Sequence, residues 1–448
     1  MKSIVRFGLS LLLLNISAAR AAPVVTNIGA GDSHSLLLKS DGSLWTMGWN
    51  MYGQLGNNKW NNTNKPEQIV SAGVVAISGG GAHSHFLKSD GSLWAAGNNV
   101  EGELGDGTRN IATNKVEQIM STGVIAIAGG GDHSLFIKSG GSLWATGRNY
   151  YGELGNGNNS EANPPVEIVP AGVTAIAAGH SHSLFLKSDG SLWAMGDNEY
   201  GQLGDGTFNN TNLPERIVSG GVVAIAARDF HSLFLKSDGS LWVMGQNDHG
   251  QLGDGSLTNS NTPEQIRSNG VAAIAGGGFH SLFLETNGSL WVMGGNEYGQ
   301  LGDGTVIDTN QPEQIVSSNV VSIAAGLQHS LFLKSDSSLW VMGDNTFGQL
   351  GDGFTNSASL VPEQISPPPQ PVLVSGISCQ TNLLLSATCL VGGNFRVLMT
   401  TNVFEPFNEW TSVLINSVTA RATNNFMVTL TNEANSGDPQ RFYMLQSE

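Results

Sequence analysis

Residues 231–253 read His231-Ser232-Leu233-Phe234-Leu235-Lys236-Ser237-Asp238-Gly239-Ser240-Leu241-Trp242-Val243-Met244-Gly245-Gln246-Asn247-Asp248-His249-Gly250-Gln251-Leu252-Gly253. Two apolar runs meet at an Asp-Gly, and a Gly-x-Leu-Gly element follows. The same frame returns along the chain. Its His-Ser pair opens at His34, His83, His133, His182, His231, His280 and His329, at intervals of 49, 50, 49, 49, 49 and 49 residues. A fixed period of this size marks a repeat architecture and is read before any single residue.

Each copy predicts four strands. Val222–Ala226 is a β-branched run, His231–Lys236 a second strand, Leu241–Met244 a third, and Pro214–Ile217, ahead of the next copy, a short edge strand where proline is tolerated. The second and third are joined through Asp238-Gly239, which predicts a two-residue turn with positive φ at both positions. Asp41-Gly42, Asp90-Gly91, Gly140-Gly141, Asp189-Gly190 and Asn287-Gly288 follow suit. Asp336-Ser337 departs from it, so the seventh hairpin is expected to be the most strained. Both strands are apolar on both faces, unlike a sheet with one wet side, which would alternate. Small four-stranded sheets covered on both sides and repeated seven times predict a seven-bladed β-propeller, an all-β fold. A tryptophan buried at each blade contact would contribute up to roughly 5 kcal/mol.

Composition agrees and sets limits. The chain has 448 residues, beyond the size at which one core stops growing, about 250–300 residues. Its 59 glycines are about 13% of the chain against a usual ~7%, as a turn-rich β protein needs. Hydrophobic residues at 40% exclude a disordered chain. The net charge is −16, with 20 Lys and Arg against 36 Asp and Glu. That balance disfavours nucleic acid, whose binding rests on cations meeting phosphates, and anionic membrane surfaces equally.

Lys2 and Arg6, the short apolar run Leu9–Leu14 and the small residues Ala19 and Ala21 read as a secretory signal peptide over 1–21. The run is too short to span a membrane. Loss of Lys2, Arg6 and Arg20 would take the charge from −16 to −19. The expected organisation is signal peptide 1–21, propeller 22–366, Pro-rich linker 367–371 and a small antiparallel β-sandwich over 372–448. The last unit shows β-rich runs at Leu383–Leu385, Phe395–Met399, Trp410–Ile415, Phe426–Leu430 and Phe442–Leu445. It also carries the only two cysteines, Cys379 and Cys389, expected to form a disulfide in an oxidising compartment.

The repeated frame Gly-x-x-His-Ser-Leu-Phe-Leu-Lys-Ser-Asp-Gly-Ser-Leu-Trp-x-x-Gly-x-Asn-x-x-Gly-Gln-Leu-Gly-Asp-Gly resembles the regulator of chromosome condensation repeat, from about Val24 to Ile365. The resemblance implies a seven-bladed propeller. It also implies guanine-nucleotide exchange on a small GTPase as one alternative activity. Secretion and the acidic charge oppose that alternative. A polysaccharide-acting propeller enzyme is another.

Candidate site residues fall into three sets. The seven repeat histidines are expected to be structural, each bonding backbone inside its own blade. One histidine per blade spreads around a ring, whereas a zinc ion needs ligands converging at ~2.0–2.1 Å. His83 with His85, and His180 with His182, form His-x-His pairs, and no metal is expected there either. The recurring asparagines, such as Asn198 and Asn247, are expected to stabilise turns through their own backbone. The residue before each Gly-x-Leu-Gly is Tyr52, Glu101, Tyr151, Tyr200, His249, Tyr298 or Phe347, and Trp49 and Tyr150 lie beside this nearly all-aromatic ring. Trp49, Tyr52, Tyr150, Tyr151, Tyr200, His249, Tyr298 and Phe347 are the candidate partner-binding rim, since aromatics give large contact area at low entropic cost. Copies differ most near it, at Trp60, Arg148, Phe208 and Arg228–Phe230. No nucleophile elbow or phosphate loop occurs. The expected function is a non-catalytic, cofactor-free and monomeric binding scaffold, secreted, periplasmic or at the cell surface, for a protein or glycan partner.

Overall fold

The computed structural model describes residues 23–355 and 358–365 in full, and the strand backbones within 382–447. The chain divides into a unit spanning Pro23–Ile365 and a second containing Ser366–Glu448. The first unit consists of seven four-stranded antiparallel sheets, each made of four consecutive strands. Blade 5, for example, is Val222–Arg228, His231–Lys236, Leu241–Gly245 and Ser260–Arg267. The first strand of each blade packs beside the first strand of the next, and that of blade 7, Val320–Ala325, returns to that of blade 1, Val25–Ala30. The ring is therefore closed, with first strands innermost. Every blade is contiguous in sequence, so no strand is exchanged between the ends at the seam of blades 7 and 1.

The hydrophobic cores lie between blades. Leu184, Leu186, Leu192, Ala194 and Leu203 of blade 4 meet Val222, Phe234 and Met244 of blade 5. The closing seam repeats this with Leu331, Leu333, Leu339, Val341 and Leu350 against Ile28, Ala30, Leu37 and Met47. Phenylalanine takes the centre: Phe136, Phe185, Phe234, Phe283 and Phe332 are fully buried. The tryptophans expected there are only half-buried. Trp242 stacks on Phe234 at 6.0 Å, donates from Nε1 to Ser240 Oγ at 2.9 Å and lies under Lys236, whose Nζ is 4.2 Å from the ring centroid. A cation over an indole face favours this half-open placement.

The hairpin turn also differs from the two-residue expectation. Gly239 N–H donates to Lys236 O at 2.9 Å and Lys236 N–H to Ser240 O at 3.1 Å, while only Gly239 has positive φ, 79°. This is a three-residue Ser-Asp-Gly loop, a type I turn followed by a left-handed residue. Asp238 is free to stay in the ordinary region because its carboxylate accepts Ser240 N–H at 2.9 Å. The seventh copy keeps the loop with Ser337 at φ 66°, as its departure from the motif predicted.

Strands occur on all five β-rich runs of the second unit. Asn382–Thr388 pairs with Asn425–Thr431, and Phe395–Thr400 lies between Thr411–Val413 and Phe442–Ser447. The packing of these sheets as a sandwich, Cys379, Cys389, the linker and the signal peptide lie outside the described residues. Among those described, no helix is long and apolar enough to cross a membrane.

Left-handed φ costs a non-glycine residue about 1–2 kcal/mol. Ser337→Gly in the full chain is expected to raise propeller stability by about 1 kcal/mol, read as a higher urea midpoint with unchanged slope. An unchanged or lower midpoint would show that the serine is not strained there.

Candidate functional site

Two faces follow from the strand order. The turns between first and second strands and the long loops between third and fourth strands share one face, here the loop face. The hairpins between second and third strands lie on the opposite, hairpin face.

Beneath the loop face runs a ring of histidines. His182 Nε2 lies 2.9 Å from Ser232 Oγ of the next blade, and Ser232 donates in turn to Gln202 O of the first blade's loop at 2.8 Å. Because the hydroxyl proton goes to the carbonyl, Oγ accepts from Nε2–H. The pattern recurs at all seven seams and closes with His329 to Ser35 at 3.0 Å and Ser35 to Gln349 O at 2.8 Å. The histidines thus bond a serine of the neighbouring blade rather than backbone of their own. In six blades room for the ring comes from a glycine in the turn: a Cβ on Gly277 would stand 2.2 Å from His280 Cε1, whereas blade 5 has Arg228 at that position. Burial holds these imidazoles neutral, with the pKa of His34, His133, His182, His280 and His329 lowered to about 3 and that of His231 to about 4.

Blade 2 departs from the pattern. His85 stands where blade 5 has Leu233, fully buried, its ring 5.1 Å from His83 and 5.6 Å from Phe136, and neither ring nitrogen has a hydrogen-bond partner. Burial lowers its pKa to about 4. No group of three or more His, Cys, Asp or Glu among the described residues could hold a metal.

The long loops are pinned from within. Asn198 is fully buried, donates to Asp205 Oδ1 at 3.0 Å and Thr207 O at 3.2 Å, and accepts Leu203 N–H at 3.0 Å. The repeated asparagine therefore bridges its loop and does not fold back on its own backbone. A second buried position holds Gln in five blades but Glu103 and Glu153 in blades 2 and 3. Burial pushes Glu103 up to about 8. Glu153 is also raised by burial, and Arg148 Nε stands 3.3 Å from its carboxylate.

The eight rim residues all sit on these loops. Several reach across a seam instead of packing on their own loop. Tyr200 of blade 4 lies 5.1 Å from Phe230 of blade 5, His249 of blade 5 lies 5.1 Å from Phe279 of blade 6, and Phe347 of blade 7 lies 5.9 Å from Trp49, which also meets Tyr52 at 5.4 Å. Tyr150 and Tyr151 are exposed at 56% and 38%, with Arg148 under both rings; the other six are half-buried, Tyr298 among them. Exposed apolar groups also stand at the loop tips, with Ile307 at 71% and Phe354 at 66%, joined by Met51, Ile111, Leu257, Trp60 and Phe208; Ile125, Val223 and Val321 on first strands are exposed to a similar degree. Most tips follow the Asp-Gly that ends the repeat frame, a signal present in the sequence but masked by reading the aromatic position alone. Loops of blades 4 to 7, over 197–210, 246–259, 295–308 and 344–355, carry carboxylates and no lysine or arginine.

The chain matches the RCC1-like domain over residues 69–385 and regulator of chromosome condensation (RCC1) repeats over 41–87 and 25–54. The protein belongs to the RCC1 repeat family. A curated relative, the X-linked retinitis pigmentosa GTPase regulator homolog of Caenorhabditis elegans, is 49% identical over 43 residues, 10% of this chain and 3% of that protein. Similar solved structures include human WBSCR16, with TM-score 0.65 and 24% identity over 74% of this chain and 96% of that one. Yeast RCC1 (Prp20), solved bound to Kap60, gives TM-score 0.67 and 20% identity over 82% and 91%. A further structure of Prp20p from Saccharomyces cerevisiae gives 0.64 and 21% over 77% and 88%. At these identities the likeness establishes the seven-bladed fold.

The histidine ring predicts an acid sensitivity. Each folded pKa lies below the ordinary value of about 6.5, so the unfolded chain binds more protons as pH falls below it. Each such histidine costs up to about 1.4 kcal/mol per pH unit between 6.5 and its folded value. Glu103, raised to about 8, and Asp229, raised to about 7, act in the opposite sense below those values, but they are outnumbered. The urea midpoint is expected to be flat near pH 7 to 8 and to fall steeply from pH 6.5 to 4.5. A midpoint that holds or rises over that interval contradicts the neutral ring.

Proposed function

We propose that the protein is a non-catalytic scaffold that holds a protein partner on its loop face, outside the cytoplasm. The observation that carries this reading is the pairing of rigid loops with exposed apolar tips. Asn198 and its equivalents fix the loop backbones from inside, while Phe208, Leu257, Ile307 and Phe354 are more than half exposed. Preorganised loops lose little entropy on binding, and exposed apolar groups on them mark interaction surfaces. The carboxylates among the tips of blades 4 to 7 suit a basic or neutral partner. Secretion is supported by the N-terminal Lys2, Arg6, Leu9–Leu14 and Ala19–Ala21 pattern. A described structure of Prp20p concerns its binding to Gsp1p and histones; nucleotide exchange on a small GTPase is the activity to test against.

The test immobilises the mature full chain and a Phe208→Ser, Ile307→Ser, Phe354→Ser variant side by side in an envelope and secretome extract. One protein eluting stoichiometrically from the first, and at least about tenfold less from the second at equal folded content, is the expected result. Elution of glycans alone, or equal capture by both, overturns the reading. Acceleration of nucleotide release from a small GTPase would replace it with exchange activity.

A further inference from the structure

The seam between blades 7 and 1 differs from the other six in having no chain connection across it. Non-covalent contacts alone hold it. His329 reaches Ser35, Ser35 donates to Gln349 O, Gly353 N–H donates to Asn64 O at 2.8 Å, and Leu327 N–H donates to Asp32 O at 3.0 Å. Asp32 thus supplies a backbone acceptor to blade 7 from the turn of blade 1.

The carboxylate of that same residue is held from elsewhere. Arg228 Nη2 lies 2.6 Å from Asp32 Oδ1, and Nη1 donates to Ala30 O at 3.4 Å. Arg228 belongs to blade 5, three seams from blade 1 one way round and four the other, so the pair crosses the axis of the ring. Its side chain is 9% exposed. The local sequence is built for this reach. Where blades 2 and 6 turn through Gly80-Gly81 and Gly277-Gly278, blade 5 has Arg228-Asp229, and its first strand runs on to Arg228, which pairs with His231. Asp229 accepts φ 39°, a left-handed conformation unusual for a side-chain-bearing residue. Strain of that kind persists only where the surroundings over-determine it.

We propose that Arg228 is a cross-axis lock on the open seam. By fixing the carboxylate of Asp32 it fixes the turn whose carbonyl receives Leu327, and so it resists separation of blade 7 from blade 1. The setting suits a lock. The guanidinium is desolvated, so its pairing is little screened by salt. Asp229 and His180 are further charged or titratable neighbours, and Asp132 and Arg148 also act on His180. The lock is independent of any partner: it would operate whether or not the loop face binds a protein.

The test is amide hydrogen exchange on the full chain. Leu327 and Gly353 report the open seam. Gly157 N–H, bonded to Asn212 O, and Gly206 N–H, bonded to Asn261 O, report the seams of blades 3 and 4 and of blades 4 and 5. Arg228→Met is expected to speed exchange at Leu327 and Gly353 by about tenfold or more, with changes below about twofold at the two controls. Asp32→Asn should reproduce the effect, and the double variant should be no faster than either single one. Arg228→Lys keeps the charge but loses the forked reach, and should fall between wild type and Arg228→Met. It also serves as the measurement should the methionine variant not fold. Equal acceleration at all four amides, or none at the open seam, overturns the proposal.

Discussion

A buried imidazole that must donate a hydrogen bond sets the geometry of this ring. Each histidine has one polar target, the serine hydroxyl of the following blade, and that hydroxyl already gives its proton to the loop of the histidine's own blade. The three groups can be satisfied together only when two blades sit at a fixed offset. A buried polar atom left unpaired costs about 1–3 kcal/mol, so a blade slipped along its neighbour would lose the apolar seam and the relay at once. The hydrophobic seam supplies most of the attraction; the relay gives it a register. Seven identical offsets then close a circle without a strand shared between the chain ends.

This explains why so much of the fold was legible from the sequence. The His-Ser pair, the Leu-Trp pair and the Gly-x-Leu-Gly element name the three parts that meet at each seam, and their period counts the blades. What was not legible is who bonds whom. His182 and Ser232 are 50 residues apart, and a period of nearly that length makes neighbours in the fold look like equivalents in the alignment of copies. The same aliasing hid the seam-crossing contacts of Tyr200 with Phe230 and of Phe347 with Trp49. The size of tryptophan predicts its burial at each blade contact, but the flanking lysine changes the balance: a half-open indole keeps both its packing on phenylalanine and a cation on its outer face.

Departures from the repeat carry different meanings on the two faces. On the hairpin face, six blades place a lysine over the tryptophan, and blade 6 has Glu285 instead. Arg267, from the last strand of blade 5, then covers Trp291 at 5.0 Å and Phe283 at 5.2 Å. The cation is supplied from the neighbouring blade, and the local arrangement is restored. Such compensation is what a face under purely structural demand should show.

On the loop face the departures are restored only in part, Arg148 meeting Glu153 and Arg228 meeting Asp32. Glu103 takes the place of a glutamine and is buried with one oxygen unpaired. Within the second strand of blade 2, beneath that face, His85 takes the place of a leucine with neither nitrogen partnered. Arg228 and Asp229 take the place of two glycines, and the loops of blades 4 to 7 have no cation to balance their carboxylates. A buried polar atom left unpaired, such as Glu103 Oε1, costs stability in isolation even when the group is neutral. Such departures are borne by a ring whose seams are redundant: with seven copies of one contact, a blade can lose part of its own fit and still be held on both sides. The redundancy that makes the repeat easy to read is also what lets its loop face diverge, and Arg228 shows the divergence being turned to use at the one seam the chain does not cross.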